Sequence, residues 1–224
     1  MKRVVVTGLG LVTPLGCGVN HSWDNLLSGI SGIKKITKFD PINHKCKVAC
    51  EVPLGSAVDG KFNPEEWIEK KEIKKIDDFI QFSMAASEQA FLDSKIQIST
   101  ELSLRSGAII GSGIGGLPGI ERAALDYYVN KKKISPFFIT GRLINMAAGY
   151  ASLKYNLKGP NYATVSACAS GAHAIGESVR LIQSGKMDLM LTGGTEDAIS
   201  PLGIEGFTAC RALSTKYNDE PSKA

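Results

Sequence analysis

The chain has 224 residues, five of them cysteine and three histidine, and one cysteine stands where a thiol could react. Cys168 follows a short β-type run, Asn161-Tyr162-Ala163-Thr164-Val165, and precedes an Ala/Gly/Ser-rich helical run starting at Ala169. This order places a single thiol at a sharp strand-to-helix turn. The positive end of the helix dipole lowers the pKa of a thiol there and favours the thiolate. Backbone N–H groups at the helix start can also receive an oxyanion. The small residues after Cys168 let the helix pack closely. The chemistry implied is acyl acceptance by a nucleophilic thiol. The competing reading is a buried structural cysteine, the common fate of a free thiol.

The other candidates carry less. Gly111-Ser112-Gly113-Ile114-Gly115-Gly116 fits the G-x-G-x-x-G pattern after a strand. No second strand with a terminal acid follows about 20 residues on, as a dinucleotide unit requires. Thr7-Gly8-Leu9-Gly10 fails at Thr13. Both read instead as glycines that let backbone segments meet at a strand end, and no nicotinamide or flavin is expected. His44, Cys46 and Cys50 lack the partners that a zinc site needs, so no metal is expected. His21 is expected to face solvent near a helix start. His173 lies five residues beyond Cys168, on roughly the opposite side of the helix. It is a poor base for Cys168 and reads as a packed, hydrogen-bonded core histidine. Lys71, Lys74 and Lys75 share one face of an amphipathic helix by spacing. That face is either simply solvated or a docking patch for an acidic partner, which Lys131-Lys132-Lys133 and Arg211 would extend.

Four apolar runs are predicted as strands: Arg3 to Thr7, Gly107 to Gly111, Asn161 to Val165, and Met187 to Gly194. Helical spacing predicts helices from His21 to Ser28 with Asn20 as cap, from Ile73 to Phe91, from Ile120 to Val129, from Leu143 to Lys154, and from Ala169 to Gln183 with Ser184-Gly185 closing it. Strands alternating with helices imply a layered α/β fold with a mostly parallel sheet. Ser31 to Asn63 reads as an irregular excursion, and Lys216 to Ala224 as a polar loop with no element of its own. No repeat, low-complexity tract or internal domain boundary is visible.

Composition sets the frame. Hydrophobic residues make up 43% and charged residues 21%, with a net charge of +4. That is ordinary for a soluble globular protein, and too weakly basic to argue for nucleic acid. The scattered, odd set of cysteines argues against a disulfide framework and for a reducing compartment. The N-terminal apolar run is too short for a signal peptide and reads as a strand. No window of about 18 uncharged apolar residues predicts a membrane span.

Several motifs, in order and spacing, resemble the β-ketoacyl-acyl carrier protein synthases. They are Val4-Val5-Val6-Thr7-Gly8-Leu9-Gly10, the Gly111 to Gly116 loop, Ile134-Ser135-Pro136-Phe137-Phe138, Asn145-Met146-Ala147-Ala148-Gly149, Gly159-Pro160, Ser166-Ala167-Cys168-Ala169-Ser170-Gly171, Gly193-Gly194-Thr195-Glu196 and Arg211-Ala212-Leu213-Ser214. The chain looks like residues 1–224 of the elongating, synthase II type: an N-terminal half whose C-terminal half is absent. The resemblance implies a thiolase-like fold of αβαβα layers, with a mostly parallel mixed sheet and a buried helix after the nucleophile. It implies a cytoplasmic homodimer that needs no cofactor of its own, its substrates riding on the phosphopantetheine of acyl carrier protein. Cys168 is then the acyl-accepting nucleophile, with its own N–H in the oxyanion hole. Ile114 and Phe207 match acyl-pocket residues, and Phe138 one that reaches the partner subunit's pocket. Lys71, Lys74, Lys75, Lys132 and Arg211 match basic positions that meet the carrier protein, which favours the docking reading of the lysines. The family's two catalytic histidines, its conserved lysine, its phenylalanine-bearing glycine loop and the last strand of the first half-fold fall beyond Ser214. Condensation is thus expected only with the second half, and the alternative is a non-catalytic carrier-protein-binding or assembly subunit.

Overall fold

The computed structural model describes residues 2–224. In chain order its elements are β1 (Val12–Thr13), β2 (Gly16–Cys17), α1 (Val19–Leu27), β3 (Lys34–Lys35), β4 (Val48–Ala49), α2 (Lys70–Ile73), α3 (Asp78–Ser94), α4 (Thr100–Leu104), β5 (Ser106–Gly111), α5 (Leu117–Tyr128), α6 (Met146–Tyr155), β6 (Asn161–Tyr162), α7 (Ser170–Gln183), β7 (Leu189–Gly194) and α8 (Pro201–Ala209). Three of the strands form one parallel sheet in the order β6-β5-β7. Ala108 faces Asn161 on one side and Leu191 on the other. The two remaining ladders, β1–β2 and β3–β4, are short antiparallel pairs.

Every residue of central strand β5 is buried, the mark of a strand covered on both faces. One face meets α3 and α6. There Ala108 and Ile110 join Phe79, Ile80, Met84, Ala147, Ala148, Ala151 and Leu157 in the main core. The other face meets α7, whose buried stripe is Ser170, Ala174 and Ser178. Small side chains along that stripe let the helix lie close to the sheet. A Cβ on Gly111 would stand 2.4 Å from the Ser170 carbonyl oxygen, and one on Gly194 would stand 2.8 Å from Cα of Gly171. Only glycine fits either position.

The predicted strand over Arg3 to Thr7 does not form. Val5 and Val6 are exposed, and the segment's continuation hangs on helix α3 through side chains. The Leu9 N–H donates to Asp93 Oδ2 and the Leu11 N–H to Gln89 Oε1, both at 2.9 Å. Between this segment and β7 lies a cavity of about 220 Å³, floored by Ser83, Ala86, Ser87 and Ala90. An apolar run becomes a strand only beside a partner, and β7 is too far away to be one. The Asn161 to Val165 strand shrinks to two residues, because the Thr164 hydroxyl already turns back to the Ser170 carbonyl at 2.7 Å.

The single helix expected from Ile73 to Phe91 is broken after Ile73. Buried Gln81 donates to the Ile76 carbonyl at 3.0 Å, and the Asp77 N–H donates to the Gly141 carbonyl at 3.1 Å. These bonds hold a turn where periodicity alone suggests continuity. Helix α1 starts two residues earlier than expected, at Val19, with Gly18 rather than Asn20 at its cap. Ser184 and the left-handed Gly185 close α7 as predicted. The 31–63 excursion is irregular apart from β3, β4 and one short 3-10 turn at Ala57–Asp59, with another following at Pro64–Glu66. The tail has one element after all, a 3-10 turn at Pro221–Lys223, with Asn218 bridging the Lys45 carbonyl and the Lys47 N–H.

Phe79 is fully buried where α3 meets the sheet. Phe79→Ala is expected to cost about 3–5 kcal/mol, read as a lowered urea midpoint.

Candidate active site

Strands β5, β6 and β7 run parallel, so their carboxyl ends open on one edge, the usual place for a site in such a sheet. The Cys168 turn follows β6 at that edge. Ala167 adopts φ +50, a left-handed conformation that costs a residue with a Cβ about 1–2 kcal/mol. Serines on both sides hold it there. Ser170 Oγ donates to the Ala167 carbonyl at 2.7 Å, and the Ser166 N–H donates to Ser170 Oγ at 2.8 Å. The strained residue therefore lifts Cys168 outward at the start of α7.

Cys168 is exposed, which removes the buried structural reading. No acceptor among the described residues takes its N–H. A thiol and a free N–H on the same residue form the pair that an acyl-accepting site needs. His173 departs from expectation. It is exposed rather than packed in the core, and its Nδ1 lies 2.6 Å from Ser166 Oγ. Helix α7 is likewise covered along one stripe only, and Ile175 is exposed.

Ile114 sits beside this turn. It belongs to the loop after β5, and a Cβ on its neighbour Gly113 would stand 3.4 Å from Ala167. That loop holds a side chain that the sequence placed in a motif but gave no role. The Glu196 carboxylate, just beyond β7, accepts from Ser112 Oγ and from the N–H groups of Gly113, Ile114 and Gly115 at 2.7–3.1 Å. The glycine loop cradles this carboxylate, which explains the G-x-G-x-x-G pattern without a dinucleotide. Phe207 lies on α8, exposed. Helix α8 is tied to α5 by the Leu202 N–H, which donates to Glu121 Oε1 at 3.1 Å.

The lysines do not share a helix face, because α2 ends at Ile73. Lys71 pairs with Glu69 at 2.7 Å and Lys75 with Glu72 at 2.7 Å, while the Lys75 ammonium lies 4.9 Å from the Phe137 ring centroid. Lys132 pairs with Asp126 at 2.9 Å. Lys74 and Arg211 are exposed and have no acidic partner within 4.0 Å among the described residues. Phe138 is half-buried, and its ring centroid is 5.9 Å from the Arg142 guanidinium carbon. Arg142 also reaches Asp77 Oδ1 at 3.3 Å and donates weakly to the Lys75 and Phe137 carbonyls at 3.4 Å. It thereby ties the lysine turn to the Phe137–Phe138 loop. Neither Asp77 nor Arg142 stood out in the sequence, since they are far apart along the chain.

Cys46 is buried, with its thiol facing the Val48 carbonyl at 3.4 Å, and Cys50 is exposed. His44 stacks edge-on with Phe39, and its Nδ1 lies 3.3 Å from Glu205 Oε2. His21 is exposed, as expected, with its Nε2 3.1 Å from Asn25 Nδ2. No three His, Cys, Asp or Glu side chains gather as metal ligands among the described residues.

This layered sheet, with its outward cysteine turn, is a thiolase-like fold. Residues 1–224 match the family description "Beta-ketoacyl synthase, N-terminal domain", and the chain belongs to that family. Among curated relatives, the 3-oxoacyl-[acyl-carrier-protein] synthase 2 of Rhizobium meliloti is 49% identical over 228 residues, covering 100% of this chain and 54% of that protein. The chain thus spans about half the length of the curated relatives it matches. A solved β-ketoacyl synthase from Burkholderia phymatum superposes with a TM-score of 0.84 at 30% identity, covering 100% of this chain and 53% of the other. A type II polyketide ketosynthase, solved in complex with its acyl-carrier protein, shares the fold with a TM-score of 0.77 at 23% identity, covering 96% and 56%.

Burial, opposed by the Arg142 and Arg122 charges, pushes the Asp77 carboxyl up to about 6 from its ordinary 3.8. The native state therefore binds a proton at Asp77 that the unfolded chain has already released. That contribution to stability is complete below about pH 4 and lost as pH rises through about 6. Between pH 4 and 7.5, the protein is expected to lose more stability than its Asp77→Asn variant, read from paired urea titrations.

Proposed function

We propose that the complete enzyme built on this chain is a β-ketoacyl-acyl carrier protein synthase of fatty acid chain elongation, and that Cys168 is its acyl-accepting thiol. The observation that carries this reading is the exposed Cys168, with its free N–H, at the strand-to-helix turn of a chain matching the family's N-terminal domain from end to end. The Cys168 thiolate attacks the thioester carbonyl of an acyl chain on the carrier protein's phosphopantetheine. The bond to the pantetheine sulfur breaks, that sulfur leaves as thiolate, and the acyl group stays on Cys168. Malonyl-carrier protein then loses carbon dioxide. The resulting carbanion attacks the acyl-cysteine carbonyl, a carbon–carbon bond forms, and Cys168 leaves as thiolate. The Cys168 N–H helps to hold the oxyanion at both attacks.

The chain's own histidines do not supply the imidazoles for the second step. His173 is engaged with Ser166, and His21 and His44 belong to other elements. Those groups come with the second half in this reading. The same half supplies a strand for the cavity between β7 and residues 8–11, and a cover for the exposed side of α7. Ile114 and Phe207 line the acyl pocket, and Phe138 reaches the partner's pocket in a homodimer. Lys71, Lys74, Lys75, Lys132 and Arg211 meet the acidic carrier protein. The ketosynthase structure solved with its acyl-carrier protein supports such a partner here. No bound cofactor is called for, since the carrier's phosphopantetheine bears the acyl chain, and the setting is the cytoplasm. No described helix is long and apolar enough to cross a membrane.

Intact mass after mixing with an acyl-carrier protein is expected to show one acyl adduct, absent from Cys168→Ala. An adduct that persists in the variant rules out Cys168 as the acceptor. Lys74→Glu and Arg211→Glu, the two of these five cations with no acidic partner among the described residues, are each expected to raise KM for the carrier protein about 3–10-fold with kcat nearly unchanged. Steady-state kinetics at two salt concentrations check this.

A further inference from the structure

The acidic residue just beyond β7 fills the glycine loop just beyond β5. Glu196 Oε2 accepts from the N–H groups of Gly113 at 2.7 Å and Ile114 at 3.0 Å. Its Oε1 accepts from the Gly115 N–H and from Ser112 Oγ, both at 3.1 Å. The carboxylate thus takes four donors, the number its two oxygens can hold. Successive N–H groups converging on one acceptor form an anion nest. Gly115, at φ +71, turns the third N–H inward, and the Gly115 N–H also reaches Ser112 Oγ at 3.1 Å.

Ile114 is the middle residue of this nest, and its side chain is 38% exposed. With more than a third of it open, its direction leans on the backbone that Glu196 holds. The same backbone lies against Ala167, next to Cys168.

We propose that Glu196 is the positioning residue for Ile114, and that it thereby sets how the site discriminates acyl chains by length. This rests on the acyl-transfer reading above. The carboxylate itself touches no substrate. Released from it, the 112–115 loop lets Ile114 swing across the path of a long acyl chain, whereas a short chain ends before reaching it.

The test uses the complete enzyme and two variants. In Glu196→Gln the shape is kept, but the amide nitrogen is a donor facing donors, so about half of the contacts are lost. Glu196→Asp keeps the charge on a side chain one methylene shorter. Cys168 acylation is followed by intact mass with butanoyl- and dodecanoyl-carrier protein, and amide hydrogen exchange is followed at residues 113–115. Glu196→Gln is expected to slow dodecanoyl loading roughly tenfold relative to butanoyl loading, to raise KM for the long chain more than it lowers kcat, and to speed exchange at 113–115. Glu196→Asp is expected to recover part of both. An unchanged ratio of the two loading rates, including an equal loss of both, overturns the discrimination role. Unchanged exchange at 113–115 overturns the nest itself. If the unaltered enzyme takes up neither chain, the acyl-transfer reading fails, and the exchange result still decides whether Glu196 holds the loop.

Discussion

Helix α7 can lie against β5 and β7 only because no Cβ stands between them at Gly111 and Gly194, and because its own inner stripe is Ser170, Ala174 and Ser178. The geometry of the Cys168 turn follows from that closeness. A helix this near the sheet must begin abruptly after β6, so one residue has to reverse the chain, and Ala167 does so in a left-handed conformation. The Ser170 side chain bonds to Ala167 and Ser166 and keeps the reversal in place. Cys168 is presented outward as a result. A bulkier residue at any of these positions would move the helix start and the thiol with it.

Charged side chains, some exposed and some largely covered, secure the surrounding segments. Glu196 joins the ends of β5 and β7 through the backbone of the glycine loop. Arg142 joins the lysine turn, the Phe137–Phe138 loop and Asp77. Lys38 reaches Asp197 at 2.7 Å and Asp78 at 3.3 Å, so the residue after Glu196 is held as well. Isolated charges are costly where water is largely excluded, as at Asp77, Arg142 and Asp197, and each of these is met by a partner of opposite sign. These pairs add specificity of arrangement more than net stability. The surface pairs Lys71–Glu69 and Lys132–Asp126 carry little energy and leave their lysines free to exchange partners.

The parts of the fold legible in the sequence were those fixed by local pattern. Strands β5 and β7 are short apolar runs ending in glycine, and helices α5, α6 and α7 have clear apolar spacing, so their bounds fall within a few residues of expectation. Cys168 was legible because a thiol between a β-type run and small residues is an unusual local arrangement. What failed depended on distant partners. Arg3 to Thr7 has strand composition, but the backbone groups it would pair with are not beside it. The lysine helix is interrupted by Gln81 and by the Gly141 carbonyl, which no local spacing reveals. His173 lies on a small-residue helix that suggested burial, yet its side of α7 is uncovered. Glu196 and Arg142 were invisible as positioning groups because their partners lie tens of residues away, and only the folded sheet edge brings them together.

The strand order β6-β5-β7 also has a temporal consequence. The central strand is the first of the three to be made, yet each neighbour comes from much further along the chain, with Ser106 finally opposite Leu189. Parallel pairing across such separations closes long loops before any ladder bond is gained, which makes folding slow. On the ribosome, β5 can pair with β6 on one edge first, but its other edge waits until residue 194 has emerged, and Gly171 at the start of α7 packs against Gly194. The Cys168 turn is therefore among the last features of this chain to take shape, and a nascent chain interrupted before β7 would hold the cysteine but not its geometry.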